Sequence, residues 1–216
     1  MYKIFLVVAL LLGSQFRCYG QSGTPALPDT DYAVYSAVID DYSGCANSQL
    51  AYQRGRLLFI NTTTVVLNGS TAGFSFDFKK SQESIEATMF PPKDQDYKRP
   101  DWALFFNTVD TAQFTSYLLS RLPVLACRQS AWWTPAKRAY YFNRQGSRGY
   151  YELQKDYPTF GGLIQFSKVA YSSDGTKATC YYSESNESEN GAGYVIFLEA
   201  KEGKWQLVYS VMLWIS

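Results

Sequence analysis

The clearest patterning of apolar and polar positions lies in the last third of the chain. GLIQFSKVAYS, TKATCYYS, GYVIFLEAK and KWQLVYSVMLWIS are four runs rich in β-branched and aromatic residues, and each predicts a strand. Asp174–Gly175 separates the first two and Glu202–Gly203 the last two, and such pairs between alternating runs signal tight hairpins. In the final run Trp205, Leu207, Tyr209, Val211, Leu213 and Ile215 share one face at a period of two. The first run changes phase between Phe166 and Val169, which predicts a bulge near Ser167–Lys168. The polar stretch SESNESENGAG, residues 183–193, reads as a long loop between the second and third strands, with Gly191 and Gly193 turning the chain.

Upstream the period lengthens. DTDYAVYSAVIDDY puts Val34, Ala37 and Val38 on one face and offers Asp29 or Thr30 as a cap, so a helix is predicted. RLLFINTTTVVL reads as strand, and GFSFDF, with Phe74, Phe76 and Phe78 at period two, as a further strand. Ser81 then precedes ESIEATM, a short helix that Pro91 and Pro92 must end, and PPKDQDYKRPD reads as a loop. NTVDTAQFTSYLLSRLP predicts another helix, capped by Asn107 or Thr108, with Phe114, Tyr117, Leu118 and Leu122 at helical spacing and Pro123 as its stop. From Cys127 to Lys155 aromatic residues are abundant but follow no period. Helices early and strands late predict an α+β fold, with N-terminal helices packed on a C-terminal four-stranded antiparallel meander. No repeat or linker interrupts residues 21–216, which are expected to form a single α+β domain.

The first 20 residues change the setting. MYKIFLVVALLLGSQFRCYG has Lys3 in a basic start, a short apolar run from Ile4 to Leu12 and a small residue at Gly20, the plan of a secretory signal peptide. The apolar run is about half the roughly 20 residues a membrane span needs, and no later run is long enough, so no transmembrane span is expected in the mature chain. Arg17 and Phe16 before Cys18 lack the small residues that lipoprotein processing requires. The expected location is therefore secreted or periplasmic. Loss of Lys3 and Arg17 takes the formal charge from +1 to −1, so charge gives no reason to expect nucleic acid as a partner. Three cysteines remain after residue 20. An oxidising compartment favours one bridge and one free thiol, with Cys45–Cys127 as the disulfide. Cys180, in phase with Ala178 and Tyr182 on a strand, is expected to be a core thiol.

Histidine is absent from all 216 residues. Ser-His-Asp and Cys-His catalysis and most zinc and copper sites are thereby removed. No S-x-x-K, G-x-S-x-G, Walker or G-x-G-x-x-G motif occurs, and no cofactor is expected. Carboxylate chemistry survives, with Asp40–Asp41, Asp94–Asp96 and Glu184–Glu187 as candidate pairs. The frame beginning at Asn186 imitates an EF-hand loop but lacks a carboxylate at its first position and has Phe197 at its twelfth, so no metal site is assigned.

One segment combines cations with rings. Between Cys127 and Lys155 lie Arg128, Lys137, Arg138, Arg144, Arg148 and Lys155 against a single acid, Glu152. Trp132, Trp133, Lys137, Arg138, Tyr140 and Arg144 are the candidate ligand-binding residues, since such a set can stack on sugars while pairing with anions. The competing reading packs the rings in the core and lets the basic heads reach water. The functional expectation is an exported, non-enzymatic domain that binds a glycan or other polyanion, or another envelope protein, through this segment. The alternatives are a small carboxylate-dependent hydrolase and a structural module of an envelope assembly.

Tyr157-Pro158, Gly161, Phe166-Ser167, Val169, Gly175, Ala178, Gly193-Tyr194, Trp205 and the closing Trp214-Ile215-Ser216 form a pattern over roughly residues 150–216. By these residues the chain resembles an uncharacterised family of bacterial secreted proteins. The resemblance implies a bacterial source and lends no activity or site.

Overall fold

A computed structural model describes residues 27–42, 45, 54–66, 98–109, 115–142 and 149–216. Its centre is a seven-stranded mixed sheet: β1 (Leu57–Asn61), β2 (Gln129–Trp133), β3 (Phe160–Phe166), β4 (Ala170–Tyr171), β5 (Lys177–Glu187), β6 (Asn190–Lys201) and β7 (Lys204–Ile215). The spatial order is β2-β1-β3-β5-β6-β7, with β4 also paired to β5. β1 runs parallel to both β2 and β3, and every later pairing is antiparallel. Four helices are described: α1 (Asp29–Tyr42), α2 (Pro100–Thr108), α3 (Pro135–Phe142) and α4 (Gly149–Asp156).

This architecture overturns the expected α+β meander with helices on one face. The four C-terminal runs do pair antiparallel, but they extend a sheet whose other half is parallel and formed by β1 and β2. Helices cover both faces. The α1 side chains Val34, Tyr35, Val38 and Ile39 recur at helical spacing and pack with Leu58, Ile60, Ile164, Phe166, Ile196 and Leu198. The opposite face holds two clusters. Trp102, Phe105 and Phe106 of α2 meet Phe197 and Tyr209, while Tyr141 of α3 and Leu153 of α4 meet Phe59, Trp133 and Phe160.

The helix expected over residues 107–123 is also corrected. The helix here is α2, and it ends at Thr108; Pro100 stands in its first turn, where a missing amide hydrogen costs nothing. Residues 115–120 are extended instead. Leu118 bridges Thr63, the Thr64 amide donates to the Tyr117 carbonyl, and the Leu119 amide donates to Thr62. Backbone pairing with the continuation of β1 outweighs the apolar spacing, and Leu119 is buried while Leu118 is exposed. The GFSFDF strand, the ESIEATM helix and residues 1–20 lie outside the described residues.

Two details of the last strands differ from the sequence reading for steric reasons. Phe197 pairs with Tyr209 and Leu198 with Leu207, so Val208 is an extra residue in β7. The bulge turns the strand over: Trp205 and Leu207 join the α1-side core, whereas Tyr209, Val211 and Leu213 belong to the α2 side. The run therefore has no single apolar face. The stretch 183–193 is likewise not a long loop, since β5 continues to Glu187 and β6 starts at Asn190. Nor does Gly193 serve a turn. It lies within β6, where an added Cβ would collide with the Trp214 indole nitrogen. Near the expected bulge at Ser167–Lys168 the strand divides into β3 and β4, and the three residues between Phe166 and Ala170 face two between Thr179 and Tyr182.

Cys45 and Cys127 form a disulfide with their Cα atoms 5.6 Å apart, and Cys180 is a free, buried thiol. Both match the sequence reading. Among the described residues no helix is long and apolar enough to cross a membrane.

Candidate functional site

On the sheet face opposite α1, the strands β3 and β5 and the helices α3 and α4 enclose a cleft of about 470 Å³. Strand alternation supplies its floor. Leu163 and Gln165 of β3 pair with Ser185 and Ser183 of β5, and all four point to this face. Asn61 and Trp133, paired at the ends of β1 and β2, close one side. Arg138 and Phe142 of α3 and Tyr150 of α4 form the rim.

The rim is braced from within. Tyr141 donates to Asp156 Oδ2 at 2.7 Å, which clasps α3 to α4, and Tyr141 also stacks on Trp133 with ring centres 6.0 Å apart. Burial and the neighbouring Asp156 carboxylate push the Tyr141 phenol above its ordinary range, so it stays a neutral donor. Phe142 and Tyr150 meet edge to face at 5.0 Å, and the Tyr150 hydroxyl lies 2.9 Å from that of Ser185. Among the described residues that line the cleft, Arg138, exposed on α3, is the cation, and none is Asp or Glu. The cleft can thus offer one guanidinium, amide and hydroxyl groups, and ring edges. Its described lining residues hold no acid–base pair.

The candidate residues divide. Trp133 and Arg138 belong to the cleft, but Trp133 is only 4% exposed, so its ring is a wall and not a free platform. Trp132 points to the other face of β2 and packs, half-buried, against the α1-side core. Lys137 turns inwards. Its ammonium lies 4.4 Å from the centre of the Phe59 ring and donates to the Trp132 carbonyl at 3.2 Å, and burial lowers its pKa. Tyr140 is exposed beside Tyr141, edge to face at 4.9 Å. Arg144 lies outside the described residues.

The carboxylate candidates are not joined in the cleft. Asp40 and Asp41 line a separate depression of about 680 Å³ near the disulfide, where burial raises both carboxyls. Asp40 there accepts the Ala126 amide at 2.9 Å and so fastens the loop that carries Cys127. Glu184 lies on the α1 side of the sheet, bonded to the Tyr182 hydroxyl, while Glu187 is exposed at the β5–β6 turn. Asp94 and Asp96 lie outside the described residues. Among the described residues, no three His, Cys, Asp or Glu side chains gather as metal ligands.

Sequence reasoning missed Asn61, Gln165, Ser183 and Ser185. A signal was present for Gln165, the one polar side chain inside the apolar run FGGLIQF. For the serines there was none, because residues 183–193 read as loop and their alternation had no meaning until β5 was known to continue.

Comparison with known proteins returns no match: no family model, no curated protein and no solved structure matches the chain.

Proposed function

We propose that the chain is an exported, non-enzymatic binding domain and that its ligand is an anionic sugar unit of a glycan, held in the cleft by Arg138. The single observation that carries this reading is a cleft whose described lining has one guanidinium, four polar strand side chains, a ring-lined rim and no carboxylate. A guanidinium pairs with a carboxylate or sulfate through two parallel hydrogen bonds. Hydroxyl and amide groups such as those of Ser183, Gln165 and Asn61 suit sugar hydroxyls, and Phe142 and Tyr150 offer apolar edges to the ring. Export is supported by the Cys45–Cys127 disulfide, which oxidising compartments preserve, and by the apolar run that begins the chain.

The test is titration of the protein with uronate-containing and sulfated oligosaccharides, with neutral oligosaccharides of equal length as the reference. Saturable binding to an anionic glycan is expected, weakened about tenfold or more by Arg138→Ala and only partly by Arg138→Lys. Equal affinity for neutral glycans, or full affinity in Arg138→Ala, would refute the reading.

A further inference from the structure

Alternate residues of β5 face opposite sides of the sheet. Ser183 and Ser185 look into the anion cleft, while Tyr182, Glu184 and Asn186 look to the α1 side and line a second cavity, of about 240 Å³. Tyr42 at the end of α1, Asn190 to Ala192 and Tyr194 of β6, and Ile215 of β7 complete its described wall. Nothing assigned so far uses this cavity.

Its chemistry is the reverse of the first. The rings of Tyr182 and Tyr194 each lie 5.0 Å from that of Tyr42, centre to centre, so three aromatic rings stand together. Tyr182 is buried beneath, whereas Tyr42 and Tyr194 are half-buried and reach the cavity. Burial holds all three phenols above their ordinary range, so the rings remain neutral and keep their electron-rich faces.

Glu184 is fixed in place beside them. The Tyr182 hydroxyl donates to its Oε2 at 2.6 Å, and Arg128 Nη1 approaches Oε1 at 3.5 Å. Gly162 leaves room for this side chain, since a Cβ there would sit 2.9 Å from Glu184 Oε1. The Glu184 side chain is still 25% exposed, against 2% for Arg128, so the acidic partner is the one a ligand can reach. Asn186 adds a further acceptor: its side-chain oxygen is buried and has no hydrogen-bond partner among the described residues.

The geometry points to a binding site for a small organic ammonium group, such as a quaternary or methylated amine head group, held by the faces of Tyr42 and Tyr194 with Glu184 as counter-charge. The cavity is below the roughly 300–1,000 Å³ of sites for larger ligands, which suits a head group and not a sugar chain.

Choline and its uncharged isostere 3,3-dimethyl-1-butanol separate charge recognition from simple apolar burial. Titrations of the intact protein, followed by the ring resonances of its tyrosines, are expected to show saturable choline binding. The neutral isostere should bind about tenfold more weakly or worse. Glu184→Gln leaves Arg128 without its carboxylate and can unfold the protein, so Tyr194→Leu is the second variant; it should weaken choline binding about tenfold with the fold intact. Absence of saturable choline binding, equal binding of the isostere, or full affinity in a folded Tyr194→Leu variant would each overturn the assignment.

Discussion

The two halves of the sheet are held together by opposite kinds of connection. β5, β6 and β7 follow one another through tight turns, Glu187–Asn190 and Lys201–Lys204, so each strand finds its neighbour within a few residues. On the other side, Leu57 of β1 pairs with Gln129 and with Phe160, partners far along the chain. Closing such distances costs conformational entropy that short hairpins avoid. The disulfide falls beside one of these long closures, at the start of the β1–β2 pairing. Cys45–Cys127 spans 82 residues, the Cys127 carbonyl accepts the Gly55 amide, and the Gln129 amide donates to Arg56, which starts the β1–β2 ladder. The local half thus rests on its own turns, and the non-local half on a covalent staple.

Removing the staple should separate the two. Cys45→Ser with Cys127→Ser, or reduction, is expected to cost about 4 kcal/mol. Hydrogen exchange should show β1 and β2 losing protection before β5, β6 and β7. Uniform loss across the sheet would mean the halves are not distinct.

The seam between the halves carries the next effect. Asp31, fully buried at the start of α1, accepts the Tyr171 hydroxyl at 2.9 Å and the Val169 amide at 3.4 Å, and so ties the helix to the β3–β4 break. Burial raises its pKa from 3.8 to about 6. The folded state therefore binds the proton more tightly than the unfolded state. This contribution is fully present below about pH 4 and is lost as pH rises through about 6, a swing of roughly 3 kcal/mol. Asp101 and Glu199, whose pKa values are lowered by ion pairs with Lys177 and Arg99, act in the opposite sense. Comparing wild type with Asp31→Asn by denaturant unfolding from pH 4 to pH 8 isolates the first effect. Parallel curves for the two proteins would dismiss it.

Within the local half, Gly193→Ala should cost about 2 kcal/mol, because the new methyl group enters the space of the Trp214 indole. Gly193→Ala combined with Trp214→Leu should recover part of that loss, and failure to recover it would place the cost elsewhere. The smallest effect belongs to the last turn. Glu202 has φ of 51° and Gly203 of 75°, so both central residues are left-handed. Glu202→Asn is expected to stabilise the hairpin by about 0.5 kcal/mol, read as a small rise in melting temperature.

The same contrast governs what the residues disclosed. The α1 run, the four C-terminal runs as strand-forming segments and the irregularity near Ser167–Lys168 are written in local period and turn chemistry, and each was legible. Parallel pairing of β1 with β2 and β3 leaves no such trace, since its partners are chosen by the rest of the fold. The spacing of Tyr117, Leu118 and Leu122 imitated a helix because apolar spacing cannot register the backbone partners waiting at Thr62–Thr64, just beyond β1. The candidate site was legible in part for a related reason. The basic aromatic segment yielded Arg138 and Trp133, but the tryptophans on β2 alternate, so adjacent rings went to opposite faces. The polar floor came from strands whose facing could be known only after their pairing.

The β5 segment Tyr182–Asn186 also works as a partition wall with a different finish on each side. One residue of slippage in its pairing would carry Glu184 into the Arg138 cleft and the serine hydroxyls among the tyrosines, reversing the polarity of both cavities at once. The Glu184–Arg128 contact and the bare backbone at Gly162 hold that wall in register. A small insertion before β5 would therefore change the lining of both cavities together, and with it the facing of Ala178, Cys180 and Tyr182 in the core.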